Sequence, residues 1–287
     1  MLGLYRMNTS IRRRLKMSHR QFVTDANRQA FASANHRVNS TVSDHTAFRA
    51  DVLEGLSNAQ KRIPCRWLYD RKGSELFEAI TRLAEYYPSR TETAILKSDG
   101  QAMANFVGPE AILLKYGAGA GIKSRMLLSS LDIPRLYVPI DIAGEYLNAT
   151  VKHMQVDFPT LETWPVTSDF TAEFAMPAGR RVALFLGSTI GNLDVLEAGA
   201  LLGRMRKHVG PDGAAIIGVD LTKDLDTLLI AYDDRAGVTA EFNLNLLARI
   251  NRELAGDFNL DMFAHEARWN GHESAIEMHW SAELPRP

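Results

Sequence analysis

Residues 111–124 constrain this chain more than any other stretch. An apolar run, Ile112-Leu113-Leu114, passes through Lys115-Tyr116 into Gly117-Ala118-Gly119-Ala120-Gly121, and helix-forming sequence follows from Ile122. Alternate glycines free the backbone for a tight loop that a ligand can touch, and the helix after it brings unpaired N–H groups to the same place. The rhythm then repeats. Leu136-Tyr137-Val138-Pro139-Ile140 ends at Asp141, a weaker strand over 163–166 precedes Thr167-Ser168-Asp169-Phe170, 182–186 ends at Gly187, and 214–219 ends at Asp220. Short apolar strands separated by helices predict an α/β chain with a parallel sheet covered on both faces. Ligands of such sheets bind at the carboxyl ends of the strands.

The flanks differ. Phe48, Val52, Leu53 and Leu56 recur at helical spacing, and a second helix is predicted over 73–83 with Leu76, Phe77 and Ile80 on one face. Pro88 is expected to close Glu85-Tyr86-Tyr87, with helix resuming over 90–97. After Asp220 the alternation stops. Stretches 225–232 and 238–254 are predicted helices, with Asn245, Arg249 and Arg252 on a solvated face, and Ala275-Ile276-Glu277-Met278-His279-Trp280 alternates as a strand. Ahead of all this, Arg6, Arg12, Arg13, Arg14, Lys16 and Arg20 precede the first acid, Asp25. Residues 1–45 are expected to be a disordered basic leader, an organelle-import segment being the competing reading.

A net charge of −1 offers no field to attract nucleic acid or an anionic membrane. One cysteine, Cys65, excludes an internal disulfide and a cysteine-based metal site and fits a reducing compartment. His153, His208, His265, His272 and His279 lack metal-ligand spacing. The expectation is a cytoplasmic monomer that acts on a small molecule and holds no metal.

The glycine spacing argues about the ligand. The dinucleotide fingerprint wants its third glycine one position later than Gly121. That disfavours a pyrophosphate, and with it a nicotinamide oxidoreductase. Asp141, 20 residues after Gly121, stands at a strand end where its carboxylate can accept from both hydroxyls of a ribose. Asp169 can accept from an adenine amino group, and Phe170 can cover the base. Adenosine without phosphate describes S-adenosylmethionine (SAM). Singly, a glycine loop can be a plain turn and an aspartate after a strand a plain helix cap. A second constellation, Gly187-Ser188-Thr189-Ile190-Gly191-Asn192, follows the fourth strand. Its small residues admit a substrate and Asn192 offers a donor and an acceptor; the plainer alternative makes Ser188 or Asn192 a helix cap. Tyr69, Phe77, Tyr86, Tyr87 and Tyr232 are either core packing or the wall of a site for an amine that becomes cationic.

With those residues in view, the chain resembles the histidine-specific, SAM-dependent methyltransferases of ergothioneine biosynthesis, over about 66–278. Trp67-Leu68-Tyr69-Asp70, Gly73-Ser74-Glu75-Leu76-Phe77, Glu85-Tyr86-Tyr87-Pro88-Ser89-Arg90, the glycine loop, Pro139-Ile140-Asp141, Gly187 to Asn192, Ala231-Tyr232-Asp233-Asp234 and Asn251-Arg252-Glu253-Leu254 carry the likeness. The resemblance implies a Rossmann-like SAM domain over 106–222 and a mostly helical substrate domain assembled from 46–105 and 223–287. It implies N-methylation of the α-amine of L-histidine to hercynine. Gly117, Gly119, Lys123, Asp141, Asp169, Phe170 and Gly187 would hold the cofactor. Asn192 and Tyr232 would hold the substrate carboxylate, with Tyr69, Phe77, Tyr86 and Met278 lining the pocket, and no residue is assigned as a catalytic base.

Two departures accompany the likeness. Lys115 stands where the family carries an acid, which predicts weaker cofactor binding. The chain also stops soon after Met278, where family members continue. It is therefore expected to be C-terminally truncated, without the acid and serine that recognise imidazole and without the closing strands of the sheet. The alternative that follows is a weakly active or inactive homologue that binds SAM poorly or acts with a partner.

Overall fold

The computed structural model describes residues 3–5, 41–132, 134–142, 144–168 and 176–282. Its internal contacts divide the chain into two units, one made of 1–40 and 95–219, the other of 41–94 and 220–287.

The first unit is built on a sheet. Strands β1 (Gly3–Tyr5), β2 (Ile112–Tyr116), β3 (Leu136–Asp141), β4 (Val166–Thr167), β5 (Arg181–Phe185) and β6 (Ala214–Ile217) lie in the order β1-β6-β5-β2-β3-β4. All pairings are parallel except β1 with β6, where Gly3 faces Ile217. The parallel sheet expected from the apolar rhythm is present. Its strands are buried on both faces because their side chains alternate between two cores. Leu113, Tyr137, Val182 and Leu184 enter one, with Leu96, Met103 and Leu127. Ile112, Leu114, Val138, Ile140, Ala183 and Phe185 enter the other, with Leu201 and Met205. The third strand is shorter than its expected 163–166. Only Val166–Thr167 pairs as a strand, and Thr163 makes one isolated bridge to Tyr137.

Gly3–Tyr5 and Thr41 to His45 correct part of the proposed leader: the first are a strand and the second already belong to helix α1 (Thr41–Ser57). The rest of that segment, 1–2 and 6–40, lies outside the described residues.

The second unit contains α1, α2 (Arg71–Ile80), the start of α3 (Tyr87–Val107), α7 (Leu225–Tyr232), α8 (Val238–Leu254) and a hairpin of β7 (Phe263–Asn270) and β8 (Ala275–Ala282). The helices α4 (Ile122–Leu128), α5 (Gly144–Asp157) and α6 (Val195–Val209) belong to the sheet unit. Helices α7 and α8 match their predicted spans. Pro88 does not close a segment; it sits in the first turn of α3, where a missing N–H costs nothing and the fixed φ suits a helix. The core of the second unit gathers Phe48, Val52, Trp67, Leu76, Ile80, Phe242, Leu246 and Leu247.

The solvated face expected on α8 is corrected for Asn245 and Arg249, whereas Arg252 is exposed as expected. Arg249 donates to the Trp67 carbonyl at 2.8 Å and lies 4.5 Å over the Phe48 ring, Asn245 donates to Asp70 Oδ1 at 2.9 Å, and Arg252 pairs with Asp70 Oδ2 at 2.6 Å. Asp70 also caps α2 through the Gly73 N–H at 2.7 Å. One carboxylate therefore fastens α2 to α8, a tertiary use of polar residues that helical periodicity does not reveal.

Candidate active site

In the first unit the site begins where β2 ends. Gly117, Gly119 and Gly121 have φ of +66°, +51° and +72°, a region that costs an L residue roughly 1–2 kcal/mol. The Gly117 N–H donates to the Ile140 carbonyl at 2.9 Å, and Thr150 Oγ1 donates to the Gly119 carbonyl at 2.9 Å. A Cβ placed on Gly117 or Gly119 would meet nothing within 4 Å, whereas one on Gly121 would come within 2.9 Å of Thr150 Cγ2. Gly121 is thus glycine for close packing against α5, while the other two leave bare backbone beside open space.

Asp141, the last residue of β3, faces this loop: its Oδ2 accepts from the Gly119 N–H at 3.3 Å. Lys123, in the first turn of α4, reaches toward the end of β5, where a Cβ on Gly187 would stand 3.6 Å from its Nζ. The loop, Asp141, Lys123 and Gly187 are therefore brought together. Asp169 and Phe170 lie outside the described residues. A bare glycine cradle beside a carboxylate at a strand tip suits an adenosyl ligand without phosphates, so the residues present fit SAM.

After Gly187 (φ +89°) and Ser188 (φ +55°) the chain makes a 3-10 turn, Thr189–Asn192. Neither Ser188 nor Asn192 caps the helix that follows. Asp194 does, in a reciprocal capping box with Glu197. That leaves the side chain of Asn192, which is exposed at the end of this turn, available for other work.

In the second unit Tyr69, Phe77, Tyr86, Tyr232 and Met278 share one cluster with Phe242. Ring centroids are 5.5 Å apart for Tyr69–Phe77, 6.2 Å for Phe77–Tyr86 and 5.9 Å for Tyr86–Tyr232, all edge to face. Burial pushes the Tyr86 phenol well above its usual range, and burial followed by the charge of Asp220 raises that of Tyr232. Both stay protonated and act as donors at neutral pH. Several neighbours meet the Asp220 carboxylate: Tyr87 Oη donates to Oδ2, the Leu221 N–H donates to Oδ1 at 2.9 Å, and Lys223 Nζ donates to Oδ1 at 2.6 Å and to Tyr87 Oη at 2.7 Å.

Tyr232 is also fixed from behind. Buried Asn243 donates from Nδ2 to His265 Nδ1 at 2.9 Å, so the His265 ring carries its proton on Nε2 and donates it to the Tyr232 carbonyl at 2.8 Å. Trp280 Nε1 donates to the Asn243 carbonyl at 3.1 Å. His265, Asn243 and Lys223 were not among the residues expected at the site. No local spacing marks them, since His265 lies 33 residues from Tyr232 along the chain.

Comparison with known proteins completes this picture. A family model described as histidine-specific methyltransferase, SAM-dependent, matches residues 48–285. The histidine N-alpha-methyltransferase of Mycolicibacterium smegmatis is 42% identical over 237 residues, which cover 81% of this chain and 74% of that protein. Its namesake from Mycobacterium tuberculosis is 43% identical over 239 residues, covering 82% and 74%. Ergothioneine biosynthesis protein 1 of Neurospora crassa is 32% identical over 206 residues, 69% of this chain and 23% of that one.

Proposed function

Because the chain belongs to the histidine-specific, SAM-dependent methyltransferase family, we propose that it methylates the α-amine of L-histidine, in repeated rounds, as a step toward ergothioneine. The match of that family model over 48–285 is the observation that carries the proposal. SAM, when bound, supplies an electrophilic methyl on a sulfonium sulfur.

The roles of the chain's own residues follow from their chemistry. Gly117 and Gly119 offer backbone polar groups at close range, and Asp141 is the acceptor for a sugar diol. Lys123 and Gly187 border the same space. Asp169 and Phe170 are assigned to the base by their sequence positions. On the substrate side, Asn192 and the raised phenol of Tyr232 donate to a carboxylate. The rings of Tyr69, Phe77 and Tyr86, with Met278, wall the amine, each ring face contributing roughly 0.5–2 kcal/mol to a methylammonium.

An amine that has already lost its proton needs no strong base, so these residues act by aligning it and excluding water. The product ammonium must lose a proton before each further round. We assign the substrate as a free small molecule. Among the described residues no helix is long and apolar enough to cross a membrane.

Incubating the purified protein with L-histidine and SAM should release S-adenosylhomocysteine (SAH) and give mono-, di- and trimethylated histidine by mass spectrometry. Absence of SAH release with histidine overturns the proposal.

A further inference from the structure

We propose that Lys115 biases the glycine loop toward the spent cofactor, so that SAH is held more tightly, relative to SAM, than the rest of the site would dictate. The inference rests on the SAM reading of that loop.

Lys115 is the fourth residue of β2 and is only 4% exposed. A lysine in a doubly covered strand is unusual, because its charge must be solvated by the protein. Backbone carbonyls take part in this: Nζ donates to the Tyr116 oxygen at 2.8 Å and to the Gly117 oxygen at 2.5 Å. The Lys115 Nζ is therefore lodged where strand becomes loop, rather than carried out to solvent by its long stem.

Two consequences follow. The Gly117 carbonyl is an acceptor that the open loop would otherwise present in full to a cationic ligand, and Lys115 already occupies part of it. A lysine protonated there also places a positive charge beside the loop that would receive the ligand. SAM carries a sulfonium and an ammonium against one carboxylate, whereas SAH has lost the sulfonium. The two ligands are nearly the same shape, so a charge in a partly buried site acts chiefly on their difference. Asp141 is present in every comparison below, so a change at position 115 reports Lys115 alone. In function, each methyl transferred would leave a tightly held SAH behind, and turnover would depend on a reaction that removes that thioether.

The test is titration calorimetry of wild type, Lys115→Met and Lys115→Glu with SAM and with SAH separately, at low and high salt. Methionine keeps the length and loses the charge; glutamate inverts it. The readout is the ratio of the two dissociation constants within one protein, which any loss of folded fraction leaves unchanged. The ratio should move toward SAM by about tenfold in Lys115→Met and by about a further tenfold in Lys115→Glu, each shift smaller at high salt. A ratio constant within about twofold across the three proteins overturns the inference and leaves the SAM reading intact. If no protein of the three binds either ligand, the SAM reading falls and this inference with it. If SAM binding emerges only in Lys115→Glu, the inference stands in its strongest form.

Discussion

The two units carry candidate groups built from different materials. In the sheet unit the proposed cofactor cradle is mostly backbone: glycines at positive φ, strand ends, and one carboxylate that receives a loop N–H. In the second unit the proposed substrate wall is mostly side chain: Tyr69–Phe242 and Tyr86–Tyr232 meet edge to face, Phe77 lies tilted on Phe242, and burial keeps the phenols of Tyr86 and Tyr232 protonated. Backbone recognition comes from residues adjacent in sequence, because a loop between a strand and a helix is a local object. Recognition by rings needs remote segments to converge. The first half should therefore tolerate little change at a few positions, while the second should divide its cost among many.

The largest expected effect would break the backbone half outright. Gly119→Leu puts a side chain into space where a Cβ meets nothing within 4 Å, so the fold should survive with a cost of about 1–2 kcal/mol while SAH affinity falls by about a hundredfold or more. Calorimetry beside a thermal melt separates the two. Unfolding of the variant would show the loop to be structural rather than a cradle.

Next in size is Asp70→Ala, which removes the acceptor of the Gly73 N–H, Asn245 and Arg252 from a side chain only 10% exposed. It should destabilise the second unit by about 2–3 kcal/mol, seen as a lower Tm, with SAH binding at low temperature unchanged. Asp141→Ala should weaken SAH about thirtyfold by removing a charged acceptor, with little change in Tm. Tyr232→Phe should raise the KM for histidine by about tenfold and leave SAH affinity alone; an equal loss of both would erase the contrast between the two candidate groups.

The smallest effect concerns pH. Burial pushes the Asp234 carboxyl upward, but hydrogen bonds from Thr239 and Val238 outweigh it and hold the group below its usual range. Its contribution to stability is thus fully present above the ordinary aspartate value and is lost as pH falls through the depressed one. Asp234→Asn should cost about 1 kcal/mol at neutral pH, and the difference from wild type should shrink below about pH 4.

Most of the sheet was legible. Apolar runs at 112–114, 136–140, 182–186 and 214–219 became strands within two residues of those bounds, since a buried parallel strand has no polar face to confuse the pattern. The edges were less so. β4 shrank to Val166–Thr167, and Gly3–Tyr5 pairs within a segment whose composition reads as a leader. The glycine loop and Asp141 were legible for the same local reason as the strands. Arg249 and Asn245 were misjudged because a polar residue on a helix looks the same whether it meets water or another helix. Lys115 was visible in sequence as a charge at the wrong place, but its lodging on the Tyr116 and Gly117 carbonyls was not.

By itself the amino-acid order determined the strand sequence, the loop that can receive a nucleoside and the family to which the chain belongs, because each is written over neighbouring residues. Only the tertiary structure decided that Asp70 fastens α2 to α8, that Asn243 and His265 hold the Tyr232 carbonyl, and that Lys115 Nζ lodges on the loop's own carbonyls. Those depend on which distant polar group lies within three ångströms, a matter of packing that no periodicity along the chain records.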